Sequence, residues 1–175
     1  MKAAFFDVDG TLTSDRVWKG LMAYFRARNL RRATHLAFLG VHYPLYILRK
    51  AGVVKEDVFR ARWAADLAWY LRGYTRDQAE EVWDWVVENY LGSIWRLDVR
   101  AVLRRHLDGG EPVVLVSSGP LPLIQRIGRE LGTPYAVGTR FEMRNGRFTG
   151  RSIGPVCIGP YKASLAKAFL AEQGL

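Results

Sequence analysis

The spacing of apolar positions changes along this chain and predicts where strands and helices lie. Short apolar or β-branched runs bounded by turn-forming residues predict three buried strands, at 3–6, 112–116 and 135–139. Apolar residues at intervals of three and four predict helices at 14–28, 57–71, 75–90, 97–107, 121–131 and 161–173. Strands and helices therefore alternate at both ends of the chain, whereas its middle is helical.

Local boundary signals sharpen three of these elements. Thr75 and Gln78 have the spacing of a capping box, so a helix should begin just after Thr75. Asn145-Gly146 between two short extended arms predicts a two-residue β-hairpin. Gly174 is expected to end the last helix in a left-handed conformation.

The order of these elements predicts an α/β fold. We expect a three-layer, doubly wound parallel sheet of the Rossmann type, with an inserted all-helical region and a β-hairpin. The core should comprise residues 1–12 and 96–175, and the helical cap residues 13–95. A chain of 175 residues is long enough for one such core with a modest insertion.

Composition limits the partners and the compartment. The chain has 26 Lys and Arg against 17 Asp and Glu, a net charge of +9, which favours phosphorylated substrates, nucleic acid or an acidic membrane surface. No nucleic-acid motif accompanies the charge, so we expect no such partner. The single cysteine, Cys157, excludes an intrachain disulfide, and residues 1–10 lack a secretory h-region. We expect a cytoplasmic protein, and the oligomeric state is left open.

Two carboxylates follow the first predicted strand, in the segment Asp7-Val8-Asp9-Gly10. Ligands of an open parallel sheet bind beyond the carboxyl ends of its strands, where Asp7 lies. With Mg²⁺, the two acids suit phosphoryl transfer: Asp7 would attack phosphorus, and Asp9 would protonate the leaving oxygen and then activate water. An isolated Asp-Gly is usually an ordinary turn, but this longer segment after an apolar strand favours a site.

Two further segments could bind phosphate. Ser117-Ser118-Gly119 follows the second predicted strand and offers a hydroxyl and backbone N–H groups, although a plain helix N-cap is the simpler interpretation. Lys162 begins the last helix and could offset phosphate charge, although taken alone it would be a surface lysine.

Together, in this order, these segments resemble the haloacid dehalogenase (HAD) superfamily, and in particular its phosphoserine phosphatase-like subgroup, subfamily IB. Asp7-x-Asp9-Gly-Thr11 resembles the first motif, Ser117 the second and Lys162 the third, and the helical insertion resembles a C1 cap. The resemblance implies a Mg²⁺-dependent phosphatase acting on a small phosphomonoester through an aspartyl-phosphate.

The same resemblance implies roles for individual residues. Asp7 would be the nucleophile and Asp9 the general acid and base, with Mg²⁺ on the Asp7 carboxylate and the Asp9 main-chain carbonyl. Thr11 would hold the loop of the first motif. The phosphate-binding set implied by the resemblance is Thr11, Ser117, Ser118, Gly119 and Lys162.

The sequence departs from the superfamily pattern in two places. No acid after Lys162 fits the fourth motif, because Glu172 falls within the last predicted helix. We therefore expect a fragment or a shortened gene product with weak Mg²⁺ binding and an uncovered sheet edge, so that the family activity is expected of a longer parent. Arg16 stands where phosphoserine phosphatases carry a Glu, which disfavours phosphoserine and favours a substrate with extra negative charge. Arg60 and Arg62 could contribute, although solvated helix arginines are the simpler interpretation.

Residues 33–48 contain no Asp, Glu, Lys or Arg, and basic residues flank them on both sides. The stretch is shorter than the roughly 20 residues of a membrane span. We favour a buried cap helix or helical hairpin broken at Pro44. The alternative is a helix lying on an anionic membrane, which would favour a phospholipid-like substrate. Together with the missing fourth motif and the basic charge, the stretch also leaves open a non-catalytic HAD-like module that binds a membrane surface or a protein partner.

Overall fold

Four strands form one mixed sheet in a computed structural model of the protein, which describes residues 2–174. They are β1 (Ala4–Asp7), β2 (Val113–Pro120), β3 (Tyr135–Arg144) and β4 (Arg147–Ile153). Their order follows the sequence: β1, β2 and β3 are parallel, and β4 is antiparallel to β3. Asp7 is in register with Val116, so the loops after β1 and β2 leave the sheet at the same edge.

Within residues 2–174, seven α-helices connect and flank the strands. They are α1 (Trp18–Ala27), α2 (Arg32–Lys50), α3 (Glu56–Asp66), α4 (Arg76–Trp85), α5 (Leu97–Asp108), α6 (Leu121–Leu131) and α7 (Pro160–Gln173). Three short turns extend the cap helices: two 3₁₀ turns, Leu67–Leu71 and Leu91–Ser93, and a π turn, Val86–Tyr90. The predicted helices 57–71 and 75–90 are therefore present, but each ends in one of these turns.

The predicted three-layer architecture is confirmed by the packing of β2. Successive strand side chains point to opposite faces, and in β2 both faces are apolar. Val113 and Leu115 belong to the larger core cluster, which includes residues of α5 and α6. Val114 and Val116 pack with α7 residues on the other face. Helices thus cover both faces of the sheet.

The chain leaves and re-enters the core at adjacent points. Thr13 pairs with Trp95, the Arg96 amide donates to the Leu12 carbonyl at 2.9 Å, and the Ser14 amide donates to Ile94 at 2.8 Å. These contacts lie at the predicted limits of the cap, and we keep the division into a cap at 13–95 and a core as a proposal. One continuous apolar cluster extends from the cap to the sheet.

Two predicted boundaries differ in the structure. The third strand and the first hairpin arm are a single ten-residue strand, β3. The predicted turn between β3 and β4 is confirmed, because Asn145 and Gly146 both have positive φ, as a type I′ turn requires. Helix α1 begins at Trp18 instead of Ser14, because the preceding residues belong to the loop that follows β1.

The predicted break at Pro44 is wrong, because α2 continues through it. The missing N–H of Pro44 would otherwise bond to the carbonyl of Gly40. Both residues are exposed, so water can satisfy that carbonyl and the interruption is tolerated.

The expectation that residues 33–48 form a buried helix is also wrong for most of the segment. Only Phe38 and His42 of α2 are buried, whereas the outward face exposes apolar side chains. Among residues 2–174, no helix has both the length and the apolar character needed to cross a membrane.

Candidate active site

The loop after β1 is held by its own hydrogen bonds. Gly10 adopts positive φ, as the sharp turn requires. The buried Thr13 hydroxyl lies 3.0 Å from the Val8 carbonyl and 2.7 Å from the Asp15 carbonyl, and its one proton is shared between these two acceptors. The sequence assigned the role of holding this loop to Thr11, but within residues 2–174 Thr11 contributes only a backbone bond to Val8. No sequence signal separates Thr13 from Thr11, because the fold decides which hydroxyl is buried.

Asp7 and Lys162 meet at the end of β1. The Lys162 ammonium lies 2.7 Å from Asp7 Oδ1, although 155 residues separate them in the chain. Lys162 stands in the first turn of α7, after Gly159, which has positive φ, and Pro160 at the first helical position. The strand end and the helix start thus bring together the two charges that the sequence predicted for one site.

Asp9 is buried behind Asp7 and is held by two donors. Its Oδ1 accepts the Val17 amide at 2.7 Å, and its Oδ2 accepts the Ser117 hydroxyl at 3.0 Å. Burial raises the pKa of Asp9, and the nearby Asp7 charge adds to this, against the lowering effect of the two hydrogen bonds and of Arg16. Asp9 therefore keeps a proton to higher pH than an exposed aspartate.

The segment Ser117-Ser118-Gly119 lies at the end of the second strand, and of its three residues only Ser118 lines the cavity at Asp7. Ser117 is fully buried: its hydroxyl donates to Asp9 and accepts the Gly119 amide at 3.0 Å. It therefore lies behind Asp9, and it is Ser118 that lines the cavity at Asp7. The phosphate contacts of Ser117, Ser118 and Gly119 stay predictions.

Two arginines of the cap extend the site. A cavity of about 240 Å³ is lined by Asp7, Asp9, Arg16, Arg60, Ser118, Cys157, Ile158, Gly159 and Lys162. Arg60 is an exposed helix residue, as expected, and it also lines this cavity together with Arg16. Within residues 2–174, neither the Arg16 nor the Arg60 guanidinium forms an ion pair with an acidic side chain. Arg16 and Arg60 therefore bring positive charge to the cavity that contains the Asp7 and Asp9 carboxylates.

Cys157 is a site neighbour that sequence reasoning did not select. Burial raises the pKa of its thiol to about 11, so the thiol stays protonated near neutral pH and is a poor nucleophile. Its amide donates to the Thr139 hydroxyl at 3.3 Å, and Thr139 in turn donates to the Ser118 carbonyl at 2.8 Å. Cys157 thus helps to hold the wall of the cavity.

The donors for Mg²⁺ are few. Within residues 2–174, no group of three or more His, Cys, Asp or Glu residues comes together as a metal site. Both Asp9 carboxylate oxygens already accept hydrogen bonds, while one oxygen of Asp7 is not bonded to Lys162. Mg²⁺ keeps several waters and needs only one or two carboxylates when substrate phosphate completes its shell. Asp7 fits that partial role.

A carboxylate pair at the tip of a parallel strand, with a lysine 2.7 Å from one of the two, is an arrangement that suits a hydrolase. A profile of the haloacid dehalogenase-like hydrolase family matches residues 4–175, and the chain belongs to this family. Phosphoserine phosphatase SerB1 of Mycobacterium tuberculosis is 33% identical over 183 residues, covering 99% of this chain and 55% of the relative. The inhibition of morphological differentiation protein of Streptomyces azureus is 26% identical over 173 residues, covering 98% of this chain and 61% of the relative. The chain thus spans about half the length of the curated relatives it matches.

Solved structures share the fold at low sequence identity. A Bordetella pertussis Tohama I protein of unknown function aligns with a TM-score of 0.77 and 22% identity, covering 99% of this chain and 75% of that protein. A substrate-bound phosphoserine phosphatase aligns with a TM-score of 0.56 and 16% identity, covering 100% of this chain and 74% of that one. The α/β architecture expected from the sequence is therefore confirmed.

Proposed function

We propose that this chain supplies the nucleophile and phosphate-binding groups of a Mg²⁺-dependent phosphatase that acts on a small phosphomonoester. The observation that supports this most directly is the 2.7 Å pair between Asp7 and Lys162, which lies in a cavity that also contains Asp9. An anionic nucleophile can approach a phosphate dianion only where fixed positive charge offsets their repulsion.

The proposed reaction has two steps. An Asp7 carboxylate oxygen attacks phosphorus, the bond from phosphorus to the alcohol oxygen breaks, and Asp9 gives its proton to that oxygen. Asp9 then takes a proton from water as the water oxygen attacks the aspartyl-phosphate, which releases phosphate and restores Asp7. The raised pKa of Asp9 suits the first step, because it favours the protonated form.

The remaining groups of the cavity would bind and orient the phosphate. Lys162 would offset charge on the phosphoryl oxygens, and Ser118 would contribute a hydrogen bond from the loop. Mg²⁺, held by the Asp7 carboxylate and the Asp9 main-chain carbonyl, would offset the repulsion between the nucleophile and the phosphate.

The test is an Asp7→Asn substitution in the full-length protein, assayed with 4-nitrophenyl phosphate and Mg²⁺. We expect kcat to fall by about 10³-fold or more, because the amide is a far weaker nucleophile. Asp108→Asn, an exposed aspartate on α5 that pairs with Arg104, is the matched control and should keep normal turnover. Acid-quenched wild-type protein should carry a phosphoryl group on the peptide that contains Asp7. Normal turnover by Asp7→Asn would end the proposal.

The outward face of α2 favours a second candidate function, binding to an anionic lipid surface. Its exposed apolar side chains on one side of the helix are Leu36, Leu39, Tyr43, Tyr46 and Ile47. Soluble helices normally turn charged residues to water, and contiguous exposed apolar surface marks an interaction site. Arg32 and Lys50 at the two ends of α2 complement anionic headgroups, so we propose that this helix lies on the membrane.

Vesicle co-sedimentation tests the lipid-binding candidate. Wild-type protein should bind vesicles that contain phosphatidylglycerol and not vesicles of phosphatidylcholine alone. Leu36→Glu should remove this binding, whereas Leu97→Glu should not, because Leu97 is as exposed as Leu36 (72% and 70%) but lies on α5. Equal binding by the two variants, or a concentration-dependent dimer in place of vesicle binding, would contradict it.

A further inference from the structure

A second cavity adjoins the one that contains Asp7. It has a volume of about 310 Å³, within the usual range for small-molecule sites. Arg16, Arg60, Ser118 and Ile158 line both cavities, so the two share a common wall. A ligand held at Asp7 therefore lies next to the second cavity.

The second cavity is mainly aromatic. Its apolar lining comes from Trp18, Tyr46, Phe59, Trp63, Ala64 and Leu67. Trp63 packs edge-on against Trp18, with ring centroids 5.0 Å apart, and lies 5.8 Å from Phe59. Its one acidic lining residue, Glu56, is ion-paired with Arg49. Such a wall suits an apolar group.

Charge is concentrated where the two cavities meet. The guanidinium groups of Arg16 and Arg60 have no acidic partner among the ion pairs of residues 2–174, whereas Lys162 is already paired with Asp7. Arginine binds phosphate oxygens through its planar fork of donors. The junction is therefore positive on the side where a phosphate would enter.

We propose that the substrate is a phosphomonoester of an apolar alcohol, whose tail occupies the aromatic cavity while Arg16 and Arg60 hold the phosphate at the junction. This inference rests on the proposed phosphatase function. In this arrangement Arg16 binds the phosphate. The aromatic wall contacts the apolar tail and would not favour the charged amino acid portion of phosphoserine.

The surface around the aromatic cavity agrees with such a substrate. Tyr46 lines the cavity and also belongs to α2, where its neighbour Ile47 is exposed. The cavity therefore adjoins the apolar face of α2. Arg49 and Lys50 lie over the Tyr46 ring at this border, so positive charge stands beside the apolar face.

The test compares ethyl, butyl, hexyl and octyl phosphate as substrates of the full-length protein. If the tail enters the aromatic cavity, kcat/KM should rise about three- to fourfold per methylene until the cavity is filled. Phosphoserine should be a poor substrate. A flat dependence on chain length would overturn the inference, and turnover of ethyl phosphate in that case would leave the phosphatase function intact.

A pair of neighbouring variants on α3 separates the cavity from general surface effects. Phe59→Asp places a charge in the aromatic wall and should lower the octyl-to-ethyl ratio of kcat/KM at least about tenfold. Val58→Asp alters an exposed residue that does not line the cavity, and the ratio should not change. Should Phe59→Asp fail to fold, Tyr46→Asp serves the same purpose, because Tyr46 is 39% exposed. Equal ratios in the cavity variant and the Val58→Asp control would overturn the inference.

Binding measured without turnover distinguishes this inference from the catalytic proposal. In the Asp7→Asn protein, calorimetry should show that octyl phosphonate binds at least about a hundredfold more tightly than ethyl phosphonate. If that affinity difference is seen and the wild-type protein hydrolyses none of the alkyl phosphates, the ligand class stands and the catalytic proposal fails. Equal affinities for the two phosphonates would overturn the ligand class.

Discussion

Asp9 is the residue at which burial and hydrogen bonding oppose each other most clearly. Removing a carboxylate from water disfavours its charged form, whereas the Val17 amide and the Ser117 hydroxyl favour it. The pKa of Asp9 is raised, so the cost of burial is the larger effect. The Val17 amide and the Ser117 hydroxyl hold the Asp9 carboxyl in place and also limit the rise in its pKa.

Replacing Asp9 by Asn should change how stability depends on pH. Because the pKa of Asp9 is higher in the folded than in the unfolded state, its contribution to stability is present in acid and is lost as pH rises through the folded value. Asn cannot ionise, so the Tm of Asp9→Asn minus that of the wild type should increase from about pH 4 to pH 8. Scanning calorimetry across this range is the measurement.

Asp98→Asn is the control of opposite sign. The Arg96 side chain lowers the pKa of the exposed Asp98, so its contribution is present above its unfolded pKa and disappears on acidification. The Asp98→Asn protein should therefore lose Tm near neutral pH and match the wild type in acid. Parallel pH curves for Asp9→Asn and wild type would contradict the buried-carboxyl explanation.

Single residues show how far sequence reasoning reached. The apposition of Asp7 and Lys162 was predicted, because each follows a recognisable strand end or helix start in a familiar order. The bond from Ser117 to Asp9 was not predicted, because it depends on which way a hydroxyl rotates once the strand is buried. The sequence selected Arg16 for its charge, but only the fold places Arg60 beside it.

At the scale of elements, α1 lies unusually close to the π turn Val86–Tyr90. A Cβ on Gly20 would lie 2.7 Å from Val86 Cγ1 and 2.8 Å from Tyr90 Cδ1. Real Cβ atoms do not approach so closely, so a side chain there would force the two elements apart. Gly20 is therefore a packing requirement, although glycine lowers helix propensity.

Gly20→Ala should lower the free energy of unfolding by about 1–3 kcal/mol through overpacking. Gly40→Ala is the matched control on α2, where nothing lies within 4 Å of the new Cβ. There the substitution should stabilise by about 0.5–1 kcal/mol, because alanine has the higher helix propensity. Urea denaturation of both variants is the measurement, and equal values would rule out the close packing of α1.

Local signals predicted some elements fully and others only in part. The capping box is present as expected, with the Thr75 hydroxyl accepting the Gln78 amide and the Gln78 side chain accepting the Thr75 amide. These signals act within four residues, so sequence spacing reports them. The π turn after α4 and the continuity of α2 through Pro44 depend on packing and solvent exposure, which sequence spacing does not report.

At the scale of the whole molecule, cap and core are joined by apolar packing and by ion pairs. One apolar cluster runs through both, and Arg126 and Arg129 of α6 pair with Asp84 and Glu80 of α4. Only 14% of the Arg126 side chain is exposed. Solvent and salt therefore screen its ion pair with Asp84 less than they screen a fully exposed pair. These contacts join α4 of the helical insertion to α6 beside the sheet.

The net charge of +9 also acts at this scale. It attracts the whole molecule to anionic surfaces, but the charge alone does not select a face. The proposed lipid contact adds the apolar side of α2, so raising the salt concentration should weaken vesicle binding without abolishing the difference between Leu36→Glu and Leu97→Glu.

The sequence by itself determined the alternation of strands and helices, the order of the motifs and the chemistry available at each strand end. Those properties follow from periodicity and from short-range backbone preferences, which each segment carries alone. Only the tertiary structure decided which side chains of the helical insertion face Asp7, which serine lines the cavity and which side of α2 is left to solvent. These depend on how segments distant in the chain pack together, and packing is a property of the whole fold.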